Sequence, residues 1–79
     1  MYFVYVLKNA KGVLYKGLTR DPLTRLEQHN KSRNRSTKGK GVWELVLIEN
    51  YNTRAEARKR EKYLKSGSGR EMLRRILHL

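Results

Sequence analysis

The chain contains no cysteine, which excludes disulfides, thiolate zinc sites and a cysteine nucleophile together. No apolar run approaches the ~18 to 20 residues of a membrane-spanning helix. Met1 to Leu7 lack the basic start and apolar length of a signal peptide, so the expectation is a cytoplasmic protein with no membrane partner. Acidic residues are scarce, with 7 Asp or Glu against 19 Lys or Arg, a formal net charge of +12 over 79 residues. A chain so charged repels itself. A polyanionic partner accounts for the excess, and nucleic acid stands ahead of an acidic membrane surface. The length holds one hydrophobic core, so residues 1–79 are read as a single domain.

Familiar catalytic patterns are missing too. HExxH, a P-loop and a glycine-rich dinucleotide fingerprint are all absent. Only two histidines occur, His29 and His78, and no Ser-His-Asp set stands out. Carboxylates paired at a useful spacing are also lacking, which argues against glycosidase and two-metal chemistry.

What is present reads as an alternation of strands and helices. Tyr2 to Leu7 (YFVYVL) is apolar on both faces, as expected of a strand inside a sheet. A turn at residues 9–12 joins it to a second strand, Val13 to Thr19, as an antiparallel hairpin. Gly17 interrupts that strand's side-chain surface, which predicts a bulge or a close approach by another backbone or a ligand. Asp21 then caps a helix with Pro22 at its first position, running through Asn30, with Leu23 and Leu26 expected to face the core. Residues 31–41 carry Lys31, Arg33, Arg35, Lys38 and Lys40 without an acid, and read as a mobile basic loop. Trp43 to Tyr51 is the third strand. Thr53 and Glu56 form a capping box for a helix through Ser66, and Gly67 is read as its stop. Ser68 and Glu71 repeat the box before a stripe of Met72, Leu73, Ile76 and Leu77. The order ββαβαα predicts an α+β fold, a small three-stranded antiparallel sheet flanked by helices.

Glu61 is the acid that needs a reason. It lies between Ala57 and Leu64 on the row of its helix that should face the protein. Two readings stand: an ion pair with a neighbouring arginine, or a ligand for a hard cation. Glu56 is explained as a cap, Glu27 as a solvated charge, and Glu44 and Glu49 as solvent-facing strand positions. Tyr5 and Tyr15 fall on adjacent strands, and Arg25 and His29 share one helix face.

Together these pieces resemble the GIY-YIG endonuclease superfamily, in particular its short single-domain members. Phe3, Val4 and Tyr5 stand where GIY stands, and Tyr15, Lys16 and Gly17 where YIG stands. The helix segment TRLEQHN, the segment NRSTKGKGVWELV and the segment EARKREKYLKSGSGRE extend the likeness over nearly the whole chain. Phe3 and Lys16 depart from the looser letters of the name motifs. The late polar residue, often Asn, that completes the site in larger members has no identified counterpart in SGSGREMLRR.

The resemblance implies metal-dependent hydrolysis of DNA phosphodiesters, in a setting such as DNA repair or recombination. It implies Tyr5, Tyr15, Arg25 and His29 as catalytic residues, and Glu61 as the carboxylate holding Mg²⁺ or Mn²⁺. Tyr5 is taken as general base, with the exchange of roles with Tyr15 left open. Lys16, Lys31, Arg33, Arg35, Lys38 and Lys40 are expected to contact nucleic-acid phosphates, DNA ahead of RNA. The rival readings are a catalytically silent nucleic-acid-binding module and an RNA-binding accessory protein.

Overall fold

The structure, a computed structural model, describes residues 1–31 and 41–79. Strands β1 (Tyr2–Asn9), β2 (Leu14–Thr19) and β3 (Trp43–Tyr51) form one antiparallel sheet in the order β2-β1-β3. Helices α1 (Pro22–Asn30), α2 (Arg54–Lys65) and α3 (Gly67–Ile76) complete the α+β fold. The strand that is apolar on both faces is the central one, because only a central strand is covered on both sides.

At the β1–β2 turn, Asn9 is buried and its Oδ1 accepts from the backbone N–H of Lys11 (3.1 Å) and Val13 (2.9 Å), while Gly12 takes a positive φ of 80°. The two strands then pair with Tyr5 opposite Gly17 and Leu7 opposite Tyr15. Along β1 the side chains alternate. Val4 and Val6 join Ala57 of α2, Leu64 of α2 and Leu73 of α3 in an aliphatic cluster, whereas Tyr5 and Leu7 join Trp43 in an aromatic one. Between Val6 and Leu7 the pairing with β3 slips, from Leu47 to Leu45. The extra residue, Val46, lets both Val46 and Leu47 pack on the aliphatic cluster while Leu45 packs on the aromatic one.

The helix caps are the places where local chemistry sets the fold. The Asp21 carboxylate accepts from Thr24 N (3.2 Å) and from the Thr24 hydroxyl (2.7 Å), and Thr53 Oγ1 accepts from Glu56 N (3.2 Å). The third cap is Ser66 rather than the expected Ser68. Its Oγ accepts from Gly69 N (3.2 Å), and its own backbone N–H closes α2 on the Tyr63 carbonyl (3.0 Å). One residue thus ends α2 and starts α3, and Gly67 opens the last helix rather than stopping the previous one. The crossing is tight at Gly69, where a Cβ would overlap the Tyr63 carbonyl and the Leu64 backbone.

Two expectations about facing are corrected. Leu23 is 71% exposed, because the inward row of α1 is Pro22, Leu26 and His29 at helical spacing. Ile76 is also exposed, and Leu73 supplies the buried contact of α3.

Candidate active site

Strand alternation puts Tyr5 on the α1 side of the sheet, and register puts Tyr15 beside it on β2. Their ring centroids are 6.2 Å apart. His29 enters from the last turn of α1, 4.6 Å from the Tyr15 ring and 5.9 Å from the Tyr5 ring. Trp43 closes the group edge-on to Tyr15 at 6.5 Å. The Tyr5 hydroxyl and His29 Nε2 share a 3.0 Å hydrogen bond, and both side chains are only 1% exposed. The phenol is therefore not the rim-facing tyrosine that a small sheet ordinarily carries.

Gly17 explains how the Tyr5 ring fits. A Cβ at position 17 would overlap the Tyr5 hydroxyl and ring, so the close approach there is made by the side chain paired across the hairpin and not by the backbone or ligand expected. Arg25, half-buried one turn before His29, donates to Gln28 Oε1 (2.9 Å), which holds the guanidinium beside the phenols. Burial pushes the Tyr5 hydroxyl above its ordinary pKa, and the Arg25 guanidinium offsets part of that rise. Burial and then the Arg25 charge hold His29 below the usual histidine value, so it is neutral at pH 7.

Four of the expected site residues, Tyr5, Tyr15, Arg25 and His29, are thus brought together. Glu61 and Lys16 are placed elsewhere. Glu61 belongs to α2 on the aliphatic side of the sheet and is 8% exposed. Its carboxylate accepts from Lys65 Nζ at 3.1 Å and lies 3.7 Å from an Arg58 guanidinium nitrogen, so the ion-pair reading describes its contacts. Lys16 follows Tyr15 on β2 and points to the opposite face, near Lys65 and Arg70. Lys31 is exposed and paired with Glu27 on its own helix. Arg33, Arg35, Lys38 and Lys40 lie outside the described residues. Glu44 is exposed as expected, but Glu49 is half-buried: Arg60 grips both its oxygens at 2.9 and 3.1 Å, and Tyr51 donates to it at 3.0 Å. The Arg60 pairing holds Glu49 below the usual carboxylate range.

Among the described residues, no three His, Cys, Asp or Glu side chains converge on a metal-sized site. A single hard oxygen donor nonetheless suits Mg²⁺, which keeps several waters and takes the rest of its oxygens from substrate phosphate. The Glu61 side chain fits that role in chemistry. It is fixed by burial, while the two cations on it are long side chains more than half exposed, at 54% for Lys65 and 58% for Arg58, and free to be exchanged.

Asn30 and Gln28 escaped the sequence reading. Asn30 bonds both backbone groups of Trp43, donating to its carbonyl (3.1 Å) and accepting from its N–H (2.6 Å), and so ties the end of α1 to β3. Its partner is thirteen residues away, beyond any local pattern. Gln28 stands three residues after Arg25, a spacing at which helix neighbours meet.

Comparison with known proteins gives a consistent picture. A family model described as the GIY-YIG catalytic domain matches residues 1–74. UPF0213 proteins of Staphylococcus aureus strains Mu3 and Mu50 are 38% identical over 76 residues, covering 95% of this chain and 93% of theirs. The solution NMR structure of a UPF0213 protein from Bacillus halodurans superimposes with a TM-score of 0.58 at 29% identity, over 96% of this chain and 85% of that one.

Proposed function

The chain belongs to the GIY-YIG family, a nuclease-type family, and from that premise we propose that it is a divalent-metal-dependent endonuclease hydrolysing DNA phosphodiester bonds. The observation that carries the reading is the cluster of two phenols, an imidazole and a guanidinium on one face of the sheet. Cleavage of a phosphodiester requires a water deprotonated as it attacks phosphorus, stabilisation of the added negative charge, and departure of the ester oxygen. Arg25 binds the scissile phosphate, since a planar guanidinium matches two phosphate oxygens.

Tyr15, as the phenolate, takes the proton of the attacking water and becomes the phenol while the water oxygen bonds to phosphorus and the bond from phosphorus to the ester oxygen breaks. Tyr15 is half-buried and within reach of solvent, whereas Tyr5 is sealed from water and its burial opposes the phenolate. Tyr5 and His29 then act as a hydrogen-bonded pair that fixes the surface against which Tyr15 and the phosphate are set. Glu61, which α2 carries on the other side of the sheet from the phenols, would hold Mg²⁺ or Mn²⁺, and the ion would supply charge neutralisation to the phosphate and the leaving oxygen of a strand that wraps the β2 edge.

The test is incubation of the purified protein with single-stranded, duplex and branched DNA in Mg²⁺, Mn²⁺ or EDTA. Metal-dependent cleavage is expected, together with a Glu61→Gln variant that folds and binds DNA but does not cut. Binding without cleavage in either metal would replace the reading with that of a silent binding module, and a preference for RNA with that of an RNA-binding accessory protein.

A further inference from the structure

On the face of the sheet away from the tyrosines, the β1–β2 hairpin and α3 enclose a cleft of about 460 Å³. Lys16 of β2 and Arg70 and Arg74 of α3 line it, with Val13, Leu14 and Leu79 as its apolar wall. Arg70 and Arg74 are four apart on α3 and so project side by side. Acidic side chains among the described residues pair with Lys31, Arg58, Arg60 and Lys65, and none pairs with the three cations of the cleft. Residues 32–40 contain no Asp or Glu, so they add no acidic side chain that could. Three like charges therefore share one concavity without an acidic side chain to pair them. Lys16 is held below its ordinary pKa first by burial and then by the Arg70 and Lys65 charges, so part of the repulsion in the cleft falls on it. An anion would relieve that repulsion.

We infer that this cleft is a second phosphate-binding site, in which Lys16, Arg70 and Arg74 hold a nucleic-acid phosphate away from the bond being cut. The inference rests on the proposed function, and β2 shows how the two sites connect. It is an edge strand, and its consecutive residues Tyr15 and Lys16 point to opposite faces. A strand of nucleic acid crossing that edge meets the tyrosine cluster on one side and the cationic cleft on the other. The apolar wall accommodates a sugar, while the cations take the phosphate. The phosphate can be an internal diester or a terminal monoester, and the chemistry of recognition is the same.

The test measures binding in EDTA, where no cutting occurs, by fluorescence anisotropy over a range of salt. Wild type, Arg70→Gln with Arg74→Gln, and a control with Arg54→Gln and Lys62→Gln are compared on oligonucleotides bearing a 5′-phosphate or a 5′-hydroxyl. Both arginines of the cleft are exposed, and thermal melting checks that the fold survives. The cleft variant is expected to lose about tenfold in affinity, the equivalent of one charge-assisted hydrogen bond. Its salt slope on duplex should fall by about 0.9, the contribution of one phosphate. A loss on both oligonucleotides assigns an internal diester; a loss only with the 5′-phosphate assigns a terminal one. An equal loss in the control reduces the cleft to bulk charge and overturns the inference. So does unchanged affinity in the cleft variant while wild type binds, which leaves the nuclease reading standing. If wild type binds no nucleic acid, both fall.

Discussion

Val4 and Val6 leave β1 on one side, Tyr5 and Leu7 on the other, and the two sides of the sheet are made of different chemistry. The α2–α3 side is aliphatic at its centre, with Ala57, Leu64 and Leu73 fully buried against the valines and its charged groups, Glu61 and the cationic cleft, at the margin. The α1 side is aromatic and polar, with a histidine and a tyrosine hydroxyl sealed inside it. Burying those polar groups is tolerated because each meets the other, and it brings less stability than the same volume of hydrocarbon. In a domain this small the aliphatic side must then supply most of the cohesion, which leaves the α1 side free to hold groups chosen for their chemistry.

Single substitutions can break that division. The largest effect is expected at Tyr15→Phe, where loss of the proton acceptor should lower the single-turnover cleavage rate by about 10² to 10⁴. Its melting temperature should stay near that of wild type. If Tyr5→Phe abolishes cleavage while Tyr15→Phe leaves it unaffected, the two phenols exchange roles.

Leu64→Ala attacks the other side. Removing a fully buried leucine should cost about 2 to 5 kcal/mol in urea denaturation, a large share of the stability of so small a domain. The protein that remains folded should still cleave at the wild-type rate per folded molecule.

A subtler distinction is acid sensitivity. The folded pKa of His29 is lowered, so below the ordinary histidine value the unfolded chain binds a proton that the folded chain refuses. Its stabilising contribution is complete above about pH 6.5 and is lost as pH falls through that value toward the folded pKa, by at most about 1.4 kcal/mol per pH unit. Denaturation curves collected across that range should show the slope in wild type and a shallower one in His29→Gln; identical slopes would place the acid sensitivity elsewhere.

The smallest effect tests the aliphatic side's helix junction. Ser66→Ala should cost about 1 kcal/mol by removing the shared cap. Ser68→Ala should stay within about 0.5 kcal/mol, as an exposed substitution away from the cap does.

Elements and their order were legible because each carries a local signal: alternating apolar residues in β1, the Asp21–Pro22 start of α1, and the Thr53–Glu56 box of α2. The helix junction was misread because Ser66 and Ser68 both stand before a helical pattern, and only the backbone shows which of them stays extended. Leu23 was misplaced for a different reason. The buried row of α1 is built on proline and histidine, which hydropathy reads as surface. Strand pairing joined Tyr5 to Tyr15 and helix spacing joined Arg25 to His29, while only the family resemblance made the two pairs one site; the isolation of His29 from solvent had no sequence signal, since it depends on packing among residues far apart in the chain.

Gly17 carries a lesson for anyone who would engineer this domain. Measured by strand preference alone, position 17 invites a valine or threonine, since glycine is among the poorest residues for an extended chain. Its φ is not in the left-handed region, so backbone conformation raises no objection to the exchange. The objection is volume: the space beside Gly17 is already filled by the ring of Tyr5, sealed beneath its neighbours with no room to retreat. A consensus-style stabilisation of β2 at this position would therefore improve the strand as a strand and dislodge the side chain around which the site is assembled.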